Sequence, residues 1–147
     1  LYGFSVNRYI TIPESTAYPI IFLKAEVSVQ LEPLIWNYTI HNKEPTNSPH
    51  NIAGFSLTIA APVSVTGIPN GWIVETDNTS FVAWFAQDKD LPYPNHIRPG
   101  TSLSGFQLTS SITESESTPY VLTSWRNDKN SSELIATDYV ATPRRMS

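Results

Sequence analysis

The chain reads as an all-β protein, a single antiparallel β-sandwich of roughly nine or ten strands in an immunoglobulin-like or jelly-roll-like arrangement. Three observations predict this. Apolar and polar residues alternate with a period of two along several segments. No segment holds helical spacing over ten or more residues, and Val, Ile, Thr, Tyr, Phe and Trp crowd the candidate elements as strands require. The chain has 147 residues, 40% of them hydrophobic and 15% charged, which is near the modal size of one domain and enough for two packed sheets around one core. A closed barrel is the competing geometry.

The elements follow in order. Phe4, Val6, Ile10 and Ile12 suggest a front strand. The clearest alternation runs through Ile21, Leu23, Ala25, Val27, Val29 and Leu31, with Lys24, Glu26, Ser28, Gln30 and Glu32 on the other face. That pattern predicts a long strand with one face buried. Trp36, Tyr38 and Ile40 then oppose Asn37, Thr39 and His41, and the polar stretch Asn42 to Pro49 reads as a loop. Phe55, Leu57 and Ile59 give another strand, Val63 and Val65 continue after Pro62, and Ile68-Pro69-Asn70-Gly71 makes a turn that delivers Trp72. Phe81 to Ala86 is nearly continuously apolar, as in a strand crowded into a sandwich interior, and places Trp84 in the core. Asp88 to Gly100 contains Pro92, Pro94 and Pro99, each lacking a ladder donor, and reads as a long surface loop. Leu103 to Ser110, Tyr120 to Trp125 and Glu133 to Val140 are three further strands, separated by Ser111 to Thr118 and by the turn Asn127-Asp128-Lys129-Asn130.

Five pieces stand in order between Trp36 and Ser110: Trp36-Asn37-Tyr38-Thr39-Ile40-His41-Asn42, Ile52-Ala53-Gly54-Phe55-Ser56-Leu57, Pro69-Asn70-Gly71-Trp72, Val82-Ala83-Trp84-Phe85, and Ile97-Arg98-Pro99-Gly100-Thr101-Ser102-Leu103-Ser104-Gly105-Phe106. This order resembles that of uncharacterised exported bacterial β-sandwich proteins, over about half the chain. The resemblance implies a secreted sandwich with no assigned chemistry, so it carries no catalytic residue over.

Charge and motifs narrow the function. Nine basic against thirteen acidic residues, for a net charge of −4, disfavour a polyanion partner such as nucleic acid, and no apolar run is long enough to suggest a membrane span. The absence of Cys removes disulfides, thiolate nucleophiles and thiolate metal sites. No Gly-x-Ser-x-Gly turn is present, since Leu103-Ser104-Gly105 lacks the leading glycine, and His41, His50 and His96 are too scattered for a zinc motif. His50 and His96 read as solvated loop residues. Asp88 and Asp90, with Asp77 near in space, offer hard oxygen ligands to calcium, the one cofactor the sequence suggests; the alternative is a solvated acidic loop. Glu114 and Glu116 read as a solvated pair rather than a cleft-spanning acid and base. Asn37, Asn78 and Asn130 each begin an N-glycosylation triplet. Trp36, Trp72 and Trp84 belong to the core, whereas Trp125 and Tyr93, the latter between two prolines, are the candidate exposed rings for stacking on a sugar.

A chain that opens on Leu1 without a charged-then-apolar leader is expected to be the mature product of a longer precursor, with export as the simplest cause. The stretch Leu1 to Ile12 carries Tyr2, Phe4, Val6, Ile10 and Ile12 and has no proline before Pro13. It is either an ordinary first strand or one exchanged with a neighbour's open sheet edge. The expectation is therefore a non-catalytic secreted or cell-surface protein, structural or adhesive, self-associating or meeting other surface proteins through sheet edges. The alternative is a carbohydrate-binding module that takes glycans on exposed aromatics, with calcium assisting. An unrecognised hydrolase is a third reading, for which no nucleophile, base and oxyanion donor can be assembled from neighbouring motifs.

Overall fold

The computed structural model describes residues 22–128 and 134–145. Nine strands occur among them: β1 (Ala25–Glu32), β2 (Ile35–Asn42), β3 (His50–Thr58), β4 (Ser64–Gly67), β5 (Trp72–Thr76), β6 (Phe81–Ala86), β7 (Ser102–Thr109), β8 (Ser115–Arg126) and β9 (Ile135–Pro143). They form a four-stranded sheet in the order β1-β2-β7-β4 and a five-stranded sheet in the order β5-β6-β3-β8-β9. Every named pairing is antiparallel. The all-β sandwich expectation stands, and two separate sheets replace the barrel alternative.

The period-two pattern explains the layering. In β2, Trp36, Tyr38 and Ile40 are buried while Asn37, Thr39 and His41 turn outward. In β3, Phe55 and Leu57 face in and Ser56 and Thr58 face out. Phe55 is the meeting point of the two layers. Its ring stacks on Trp84 of its own sheet at 5.1 Å, and it takes edge contacts from Tyr38 at 6.0 Å and Phe106 at 5.6 Å, both on the opposite sheet. Fully burying an aromatic or large aliphatic side chain contributes about 1.5–3 kcal/mol, so this cluster is the main cohesive contact between the sheets.

Four sequence expectations are corrected. Ser111 to Thr118 is not wholly a connection: β8 begins at Ser115, because β9 runs on to Pro143 and pairs with Ser115 through Thr118. Thr118 is buried there, its hydroxyl donating to the Thr58 carbonyl at 2.5 Å. The segment after the Asn70-Gly71 turn is a strand of its own, β5, paired with β6. The loop from Asp88 to Gly100 is not simply a surface loop, since it is pinned by Ile97, which exchanges two backbone hydrogen bonds of 2.9 Å with Ile52 and is buried. The long first strand is expected from Ile21 and is observed from Ala25. The front strand expected near Phe4 to Ile12 lies outside the described residues.

Candidate functional site

The two flanks of the sandwich are built differently. At one flank β1 and β9 lie against each other: the Leu23 N–H donates to the Ile135 carbonyl at 2.9 Å, the Val27 N–H donates to Tyr120 Oη at 3.2 Å, and Tyr38 Oη donates to the Ala141 carbonyl at 2.9 Å. Tyr38 and Tyr120 sit on opposite sheets and each reaches the other's edge strand. Burial pushes both phenols above their ordinary value.

At the other flank the four-stranded sheet is incomplete among the described residues. β2 pairs with β7 from Ser102 to Thr109, but on the far side β4 pairs only with Gln107, Leu108 and Thr109. From Ser102 to Gly105 no strand among the described residues pairs with that side of β7, although Gly67 at the end of β4 lies against the Gly105 carbonyl. The local sequence explains the gap. β4 is followed by Ile68-Pro69, and Pro69 has no N–H to continue a ladder. The chain turns there instead: the Trp72 N–H donates to the Pro69 carbonyl at 3.0 Å, and Gly71 has φ of 78°, as the third residue of a type II turn requires.

The gap is the floor of a groove of about 670 Å³, walled by Thr66 to Asn70 on one side and Pro94 to Ile97 on the other. Ile68, Pro69 and Leu103 make its apolar parts, and Asn70, Asn95, Ser104 and Gln107 its hydrogen-bonding parts. Among the described residues no Asp, Glu, Lys or Arg lines it. Its one titratable side chain, His96, is buried, lies parallel to the Tyr93 ring at 4.7 Å, and is held below the ordinary histidine range by desolvation, which outweighs the attraction of Asp88. The groove is therefore uncharged at neutral pH. It is fixed from inside by two indoles. Trp84 Nε1 donates to the Gly67 carbonyl at 3.1 Å and Trp72 Nε1 to the Asn95 carbonyl at 2.9 Å.

The sequence-derived site residues fare unevenly. Tyr93 is corrected: its ring is only 5% exposed, beneath His96, and offers no stacking face. His96 is corrected with it, being buried rather than solvated. Trp125 is half-buried near the end of β8, opposite Asn51. Asp77, Asp88 and Asp90 do not gather into a calcium site; among the described residues no group of three or more acidic or histidine side chains comes together. Asp88 is occupied by Asn95, whose N–H and Nδ2 donate to it at 2.5 and 2.8 Å. Asp77 accepts the N–H groups of Thr79 and Ser80 at 2.9 and 2.8 Å and the Ser80 hydroxyl, which hold its carboxyl well below the usual range. Asn78 lies on the exposed β5–β6 turn with φ of 66°. Asn37 lies in the middle of β2, half-buried, with its Oδ1 buried and unpartnered among the described residues. Asn130 and the expected assembly residues Tyr2, Phe4, Val6, Ile10 and Ile12 lie outside the described residues. The open ladder itself has one signal in the sequence, Pro69 after a short apolar run.

No protein-family model matches the chain, and no curated protein matches it. Solved structures do. An uncharacterised protein from Nocardia farcinica with an immunoglobulin-like fold is 16% identical, covering 82% of this chain and 98% of that one, with a TM-score of 0.47. Two structures of BcpA, the major pilin subunit of Bacillus cereus, are 10% identical with TM-scores of 0.42 and 0.39, and this chain covers 40% of their length while 82% and 80% of it is matched. The collagen-binding domain of a Staphylococcus aureus adhesin is 10% identical over 85% of this chain and all of that one, with a TM-score of 0.37.

Proposed function

We propose that this chain is a non-catalytic extracellular module, structural or adhesive, that associates with further copies of itself through its sheet edges. The observation that carries this reading is the side of β7 from Ser102 to Gly105 that no strand among the described residues pairs, bounded by a β4 of only four residues. An uncovered ladder presents backbone donors and acceptors to an added strand, and edge strands that are left open are the usual seat of strand addition. The Asn78-Thr79-Ser80 triplet on an exposed turn supports the extracellular part, because a glycan attached there meets solvent.

Light scattering over a rising concentration series tests the reading. The expected outcome is a mass that grows with concentration in the intact chain and stays at the monomer value when Leu1 to Ile12 is deleted. A monomer at every concentration in both proteins overturns it.

A further inference from the structure

We infer that the groove beside β4 takes the Tyr2–Val6 stretch of a second copy as an added strand, so that copies join head to tail. This rests on the assembly reading above and names its two surfaces. The acceptor is the side of β7 from Ser102 to Gly105 that no described strand pairs, four residues long and bulged where the β2 register shifts between Tyr38 and Ile40, so the five-residue donor spans it with one residue to spare.

The groove's chemistry selects the occupant. A site with no formally charged wall disfavours a charged strand, because a charge brought there loses water without gaining a partner. Leu1 to Asn7 contains no acidic or basic side chain and no proline, and Tyr2, Phe4 and Val6 alternate with Gly3 and Ser5. One face of such a strand meets Ile68, Pro69 and Leu103, and its backbone meets the open ladder.

The topology then sets the direction of assembly. Twenty-one residues precede Phe22, and the described chain enters through Leu23 beside Ile135, at the β1 edge. The acceptor lies at the opposite side of the same sheet, with β2 between β1 and β7. A copy that donates its front stretch to one neighbour therefore keeps its own groove free for another. Such a contact is heterologous and propagates rather than closing into a two-fold dimer. The nine residues from Pro13 to Ile21 span about 30 Å when extended, enough to bridge two copies.

Because the chain has no cysteine, single cysteines placed in this 147-residue chain report the contact without background. Chains carrying Ser5→Cys are mixed with chains carrying Ser104→Cys, an exposed position in the groove, under mild oxidation. The expected result is a mixed disulfide dimer that forms about tenfold faster than with Glu75→Cys on the β5 edge or Thr137→Cys on the β9 edge, since docking raises the local thiol concentration. If the intact chain assembles by light scattering but Ser5→Cys links to β5 or β9 as readily as to the groove, the proposed edge is wrong while the assembly reading stands. If nothing assembles and no pair links preferentially, both fall. If a Ser5→Cys, Ser104→Cys double variant closes only within one chain, the groove is filled by its own front stretch, and head-to-tail joining is overturned.

Discussion

The two flanks of the sandwich use the same device to opposite effect. On the β1/β9 flank two tyrosines extend their hydroxyls across the layers and clasp the edge strand opposite, so two edges that would each be open protect one another. On the β4 flank two tryptophans extend their N–H groups from the five-stranded sheet, but they reach the end of a four-residue strand and a loop, and no strand among the described residues pairs with β7 between them. An amphipathic ring keeps its body in the core and its polar tip at the boundary. What the tip finds there decides whether a flank is sealed or only held in shape. One flank is closed by its own strands, and on the other a stretch of β7 that no described strand pairs lies between walls held by the two indoles.

The largest expected effect comes from removing the indole that holds the open flank. Trp84 is fully buried, stacked on Phe55 and edge-on to Phe106 at 5.6 Å. Trp84→Ala is expected to cost about 3–5 kcal/mol in chemical denaturation, the range for deleting a buried aromatic. Trp84→Phe separates packing from clamping: it retains most of the ring but leaves the Gly67 carbonyl without its donor, at about 1–3 kcal/mol. If Trp84→Phe leaves both stability and Ser5→Cys to Ser104→Cys cross-linking unchanged, the walls of the groove do not depend on the indole, and the contrast between the flanks loses its physical basis.

This asymmetry marks how far the sequence could be read. Trp36, Tyr38 and Ile40, or Phe55 and Leu57, announce an inward face because alternation is local, and all five are buried. Which edges meet is not local. Tyr38 finds its acceptor 103 residues away at Ala141, and nothing in the neighbourhood of either residue encodes that distance. The start of β8 was missed for the same reason: Ser115 to Thr118 look like a polar connection until β9 supplies the ladder. Tyr93 and His96 failed differently. Three prolines rightly predict an irregular segment, yet irregular backbone also packs when its polar groups find partners, and Asn95 on Asp88 with Ile97 on Ile52 provides them. The end of β4, by contrast, was written in Pro69.

A smaller effect tests the sealed flank. Tyr38→Phe removes the hydroxyl that satisfies the Ala141 carbonyl and is expected to cost about 1 kcal/mol. The same change should alter the alkaline limit of stability. Burial raises the Tyr38 phenol above the ordinary value near 10, so the folded chain keeps a proton that the unfolded chain releases. The resulting stability is complete below pH 10 and is lost as pH rises beyond it. Melting temperatures between about pH 8 and 11 should therefore fall less steeply in Tyr38→Phe than in the parent. Tyr120 is raised in the same direction, so part of the slope remains. An identical slope in the two proteins would show that the Tyr38 hydroxyl is not sealed in, and that this flank opens as readily as the other.

The smallest effect concerns the turn that leads from the clasped strand β1 into β2. Glu32 pairs with Ile35, leaving Pro33 and Leu34 as a two-residue loop, and Leu34 has φ of 69°. Proline followed by a left-handed residue is the pattern of a type II turn, whose third position favours glycine. A side chain there costs about 1–2 kcal/mol of backbone strain, against about 0.5–1 kcal/mol for the greater freedom that glycine loses on folding. Leu34 is 45% exposed, so little apolar burial offsets the difference. Leu34→Gly is expected to stabilise the chain by up to about 1 kcal/mol, read as a raised denaturation midpoint with an unchanged slope. Leu34 also borders a shallow recess with Pro62, Val63 and Ser64, at the β4 end of the molecule away from the groove. Stabilisation without any change in Ser5→Cys to Ser104→Cys cross-linking would place that recess outside the assembly contact and confine strand addition to the segment of β7 that β4 leaves uncovered. A loss of cross-linking in Leu34→Gly would mean that the contact extends along the whole open flank.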